Sequence, residues 1–142
     1  MILTIRSRGS VPSPDFSRPL KQAAQRSLKL AFTDARRNVA PHTKTGETMR
    51  RLRPVSLGTR GFELRDAAPQ AWFLEYGTRP HKIRPKRAKA LRFIGRSGQP
   101  VFAKEVNHPG TKADPFMGPA VFGNGPRFER IYAGEIEKEL DR

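Results

Sequence analysis

Three histidines and one carboxylate have a claim to acid–base chemistry. His81 and His108 stand at the two ends of a cationic stretch, and Glu75 precedes it in Trp72-Phe73-Leu74-Glu75-Tyr76. A metal-independent ribonuclease needs a general acid, a general base and cations to hold phosphate. His81 or His108, Glu75 and the basic stretch supply those types, but no spacing demands that use. His42, His81 and His108 each adjoin a proline in an expected loop, and none lies one helical turn from another, as a metal-binding pair would. Cysteine is absent, which removes thiolate ligands, cysteine nucleophiles and disulfides together. The glycines at 95, 98, 118, 123 and 125 form no phosphate cradle, since none follows a strand and opens a helix. Neither catalysis, a metal nor a cofactor is expected.

The strongest signal is charge. Between Tyr76 and Lys104 no acidic residue interrupts Arg79, Lys82, Arg84, Lys86, Arg87, Lys89, Arg92, Arg96 and Lys104. The same segment carries Ile83, Leu91, Phe93, Ile94, Val101 and Phe102, which a disordered basic tail would lack, so the charge is displayed on a folded surface. Pro80 and Pro85 stiffen it into a shaped contact arm. Such a surface fits phosphates, with affinity that falls steeply with salt, or an acidic protein neighbour. Trp72, Phe73, Phe93 and Phe102 could stack bases, but large aromatics dominate small cores and are expected inside.

The elements that must position this stretch follow from periodicity. From Ser17, the residues Leu20, Ala24, Leu28, Ala31, Phe32, Ala35 and Val39 recur at helical spacing, with Pro19 tolerated in the first turn and Pro41 ending the helix by disfavouring the α region at Ala40. Thr45 is placed to cap a short helical turn that has Glu47 near its start. Leu52 to Leu57 and Phe62 to Asp66 flank Gly58-Thr59-Arg60-Gly61 as a hairpin, with Glu63 and Arg65 alternating to the outer face. Trp72 to Tyr76 is either strand or short helix. Ala90 to Ile94 and Pro100 to Val106 form a second hairpin around Gly95-Arg96-Ser97-Gly98. Pro115 to Phe122 is a compact element, and a last amphipathic helix runs from about Arg127 to Leu140. It turns Phe128, Ile131, Ile136 and Leu140 to one side and Glu129, Glu135, Glu137 and Glu139 outward. Its acidity opposes the basic stretch, which offers complementary surfaces to neighbouring subunits. Residues 1 to 5 alternate weakly as an edge strand before a Gly, Ser and Pro linker, giving an extension over 1–15 and one domain over 16–142.

A net charge of +15 on 142 residues favours a polyanion or an acidic protein surface as neighbour. No apolar run approaches the ~20 residues of a membrane span, and Met1 to Arg6 is too short for a secretory signal, so a soluble protein of cytoplasmic origin is expected.

Three blocks, in fixed order, resemble the small minor structural proteins of tailed bacteriophages, the neck or tail-completion proteins. They are Ala40-Pro41 with Thr45-Gly46, Leu74-Glu75-Tyr76-Gly77-Thr78, and Pro115-Phe116-Met117 with Pro119-Ala120. One branch is similar also through Arg79-Pro80-His81, Ile83 to Lys86, Ala90 to Phe93, Val101-Phe102 and His108 to Lys112. The resemblance spans roughly residues 20 to 140. It implies an α+β fold, in which a long N-terminal helix and a C-terminal helix pack on a mixed or antiparallel β-sheet with a long basic loop or hairpin. It further implies no catalysis and a homo-oligomeric ring, a hexamer, in the virion neck. There the ring would join head connector or stopper proteins to the tail terminator or tail tube, with DNA passing through and non-specific DNA contact in the channel. Assembly would take place in the host cytoplasm, without a membrane. The contact residues expected on this reading are Arg79, His81, Lys82, Arg84, Lys86, Arg87, Lys89, Arg92, Lys112 and Phe116. The basic stretch is expected to face a protein neighbour, since tight phosphate binding would oppose DNA movement.

Overall fold

The computed structural model describes residues 2–8, 16–42 and 46–141. The fold is α+β, and every strand pairing in it is antiparallel. Its body is a three-stranded sheet of β1 (Leu3–Arg8), β3 (Gly61–Asp66) and β2 (Leu52–Ser56), in the order β1-β3-β2. The expected hairpin is β2–β3, turned by a short 3₁₀ segment at Gly58–Arg60, where Gly58 and Gly61 take φ of 64° and 107°. The stretch set apart as an extension supplies β1, an edge strand. Its Ile5 pairs with Leu64, and Leu3 and Ile5 are both buried, so this strand belongs to the core of the body.

One face of the sheet carries Leu3, Ile5, Phe62, Leu64 and Leu52 into the core. Against it lies α1 (Ser17–Val39), whose buried face is mostly small: Ala23, Ala24, Ser27, Ala31 and Ala35 are all nearly inaccessible. Small side chains let the helix axis approach both the sheet and α5 (Gly125–Leu140), which packs along α1. Phe128 of α5 meets Phe62 edge-on, with ring centroids 5.5 Å apart. Met117, Ala120 and Val121 of α4 (Met117–Phe122) close the same core.

Some expectations change, and one is not reached by the described residues. Pro41 does not force Ala40 out of the α region: Ala40 keeps φ −53° and ψ −43°, and the chain tightens into a 3₁₀ turn at Ala40–His42, because Pro41 has no N–H to continue the helix. The Thr45 cap lies outside the described residues, and α2 (Glu47–Arg51) follows Gly46 at φ 70°. Glu63 is not outward in the sense of wet. It is 1% exposed, because Arg6 (2.5 Å) and Arg65 (2.7 Å) fold over it on the outer face of the central strand. Glu135 is also buried, where it accepts from Lys138 at 3.0 Å and from Arg26 of α1, while Leu140 stays exposed. Those two contacts hold the Glu135 carboxyl below its ordinary range, the Lys138 bond more than the Arg26 bond.

Candidate functional site

The ambiguous aromatic segment is helix α3 (Ala71–Tyr76), and it ends where an arm leaves the body. The root of that arm is built from backbone. Thr78 N–H donates to the Thr111 carbonyl (2.8 Å), Thr111 N–H donates back (3.1 Å), and the Thr78 hydroxyl oxygen accepts from the same Thr111 N–H (2.9 Å). Asp114 N–H donates to the Leu74 carbonyl at 2.8 Å. Two chain segments this close leave no room for side chains. Gly77 (φ 69°) would bring a Cβ to 2.5 Å from the Thr111 oxygen, and Gly110 (φ 87°) would press one into the Thr78 carbonyl.

Beneath the root, Glu75 is 6% exposed and accepts three backbone N–H bonds at the start of α4. The donors are Phe116 and Met117, both at 3.0 Å, and Gly118 at 2.6 Å. A carboxylate at this helix start offsets orphan N–H groups and the dipole together. A Cβ at Gly118 would stand 2.7 Å from Glu75 Oε1, so a side chain there would displace the carboxylate. Two blocks read from the sequence, Leu74 to Thr78 and Pro115 to Ala120, thus meet in space through Glu75.

The arm is two antiparallel ribbons, β4 (His81–Ile83) with β7 (Val106–His108) and β5 (Leu91–Ile94) with β6 (Pro100–Ala103). Neither ribbon packs extensively on any other element, and no residue from Tyr76 to Pro115 is buried. His81 and His108, expected in loops, are a cross-strand pair with ring centroids 5.0 Å apart. His81 Nδ1–H donates to the Arg79 carbonyl (2.9 Å), and His108 Nδ1 accepts from Gly110 N–H (3.1 Å). Lys82 (2.9 Å) and Arg84 (2.5 Å) share the Glu105 carboxylate and hold it below the usual carboxylate range. Arg79, Lys86, Arg87, Lys89, Arg92 and Lys112 make no ion pair among the described residues.

The structure therefore brings His81, Lys82 and Arg84 together at β4, with Arg79 just before it. It strings Lys86, Arg87 and Lys89 along the connection to β5, sets Arg92 within β5, and leaves Lys112 beside the root. Phe116 is corrected: at 1% exposure it is part of the body core, held at the start of α4, and it presents no surface to a partner. The four aromatics expected inside are corrected as well. Trp72, Phe73, Phe93 and Phe102 are 42%, 50%, 42% and 67% exposed, because α3 and the β5–β6 ribbon have no second layer over them. Trp72 packs on Tyr76 (4.5 Å), beside an apolar recess of about 350 Å³ that also touches Leu3, Ala68 and Phe73. Among the described residues no group of three His, Asp or Glu is placed to hold a metal, and no helix is long and apolar enough to cross a membrane.

The second hairpin read from the sequence is the β5–β6 ribbon, but sequence reasoning missed that its apolar residues are exposed. Its signal was there: Leu91, Phe93 and Ile94, and Val101, Phe102 and Ala103, lack period-two alternation, the pattern of strands covered on both faces. Comparison with family models, with curated proteins and with solved structures finds no match.

Proposed function

We propose that this chain is a non-enzymatic structural subunit of a tailed-phage neck, a tail-completion ring component that joins the head connector to the tail around the DNA channel. One observation carries the reading: the Tyr76–Pro115 arm buries none of its residues yet displays Phe93, Ile94, Val101 and Phe102 on a two-stranded ribbon. A two-stranded ribbon is at best marginally stable in water, and an exposed apolar patch of this kind marks a surface that a partner covers. An assembly subunit provides such partners, and its mechanism is docking, with the body as the rigid part. Two of the three sequence blocks that resemble tail-completion proteins, Leu74 to Thr78 and Pro115 to Ala120, coincide with the root that holds the arm to the body.

Quantitative mass spectrometry of particles from the source strain tests this. A small fixed copy number, equal to one closed ring per particle, is expected, and absence from particles would overturn the reading. Reversing charge at Lys86 and Arg87 is expected to block head-to-tail joining while the isolated protein stays folded.

A nucleic-acid-binding or nuclease reading is favoured by the run Lys86, Arg87 and Lys89, which makes no ion pair among the described residues. It predicts salt-sensitive binding or cleavage by the purified chain. The geometry weakens its nuclease form, because the Glu75 carboxylate already accepts three amides and is buried.

A further inference from the structure

We infer that the β5–β6 ribbon of one copy docks on the outer face of α5 of a second copy, an inference that rests on the ring-subunit reading. The register sorts the ribbon into two faces. Leu91, Phe93, Val101 and Ala103 lie on one, and Arg92, Ile94, Pro100 and Phe102 on the other. The second is the barer: Ile94 is 64% and Phe102 67% exposed, with Arg92 beside them. Its occupant should present apolar side chains rimmed by acids.

Helix α5 presents that surface. About a third of a turn round from its buried Phe128 and Glu135, residues Glu129, Ala133, Ile136 and Leu140 recur at intervals of four, three and four and so share one stripe. Ala133 is exposed, Ile136 half-buried and Leu140 68% exposed. Glu129, Glu137 and Asp141 flank them, all exposed, and with the exposed Arg130 on the same edge the acids remain in excess. A cation-edged apolar ribbon thus faces an acid-edged apolar stripe, and that charge complementarity selects a second copy as the occupant. The lengths agree: the stripe runs about 16 Å along the helix, and a four-residue strand about 13 Å. Within one chain the ribbon makes no extensive contact with α5, so the contact joins different patches of successive copies, the head-to-tail geometry that a ring requires.

The chain has no cysteine, so an engineered pair reports without background. The full chain carrying Phe102→Cys and Leu140→Cys is oxidised at high concentration while light scattering follows its mass. A ladder of covalent multimers is expected. Arg92→Glu and Glu137→Arg, made separately in the otherwise natural chain, should each weaken association about tenfold or more, and the two combined should restore it. Assembly without a ladder, or a cross-link confined within monomers, overturns the docking and leaves the ring reading standing. Assembly only on adding duplex DNA overturns it in favour of a polyanion as the ribbon's occupant. A chain that stays monomeric also overturns it, and particle copy number then decides the ring reading separately.

Discussion

Replacing Glu75 tests whether the arm and the body are locked together by one side chain. In Glu75→Ala, three N–H groups at the start of α4 lose their acceptor in a site that is nearly closed to water. Each buried donor left unpaired costs about 1–3 kcal/mol, and the three share one carboxylate, so their losses do not add in full. A destabilisation of roughly 3–4 kcal/mol follows, which for a chain of this size lowers Tm by about 6–16 °C. Glu75→Gln keeps one acceptor oxygen but turns an NH₂ group toward N–H donors, and it should cost about 2 kcal/mol. Trp72, the sole tryptophan, lies one helical turn before Glu75, so its fluorescence in urea titrations follows the affected region directly. Gln22→Ala, on the exposed side of α1, is the control. If Glu75→Ala falls within about 0.5 kcal/mol of that control, the carboxylate is not what holds α3 to α4, and the account of the root is wrong.

Three further outcomes are expected. Burial pushes the Asp66 carboxyl up to about 6, against the opposing pull of the Ala68 N–H, Arg51 and Arg53. The folded chain then binds more protons than the unfolded one between about pH 4 and pH 6, so this group lowers stability as pH rises through that window. Asp66→Asn should flatten the dependence and stabilise the neutral-pH protein by at most about 3 kcal/mol, read from urea midpoints at both ends of the window. Glu135 acts with the opposite sign: its lowered folded value supports the fold above the ordinary carboxylate range, and that support is lost as pH falls through the folded value. Glu135→Gln should therefore cost about 1 kcal/mol at neutral pH, with the gap closing in acid, as measured by the same titrations. Gly110→Ala drives a Cβ into the Thr78 carbonyl at φ 87° and should open the root at a cost of about 1–3 kcal/mol. Hydrogen exchange should then show the Thr78 and Thr111 amides losing protection while the β3 amides keep theirs.

The sequence was most legible where one periodicity had one partner. The apolar spacing of Leu20 to Val39 gave α1, and the alternation of Phe62 and Leu64 around a Gly-bearing turn gave the β2–β3 hairpin. It was least legible where a charge or an aromatic residue was judged by type alone. Glu63 and Glu135 were expected in water, but cations distant in sequence, Arg6 for one and Arg26 for the other, cover them, and no local pattern records such partners. Phe93 and Phe102 were expected inside, yet an apolar ribbon needs an opposing layer, and none of the described residues folds one over it. For the arm, the density of Arg and Lys marked the right segment. The root was hidden, because Glu75 and α4 lie some forty residues apart and meet only through backbone amides.

The paired backbone bonds at Thr78 and Thr111 make the arm a closed loop whose two ends leave the body at one point. Closure entropy rises only logarithmically with length, so doubling such a loop adds only about 0.6 kcal/mol. The body, whose core draws nothing from residues 79–110, is therefore indifferent to what the loop contains. That makes the root a graft point: arms of other lengths and charges can be exchanged there while α1, the sheet and α5 fold as before, and partner choice can change without redesign of the scaffold.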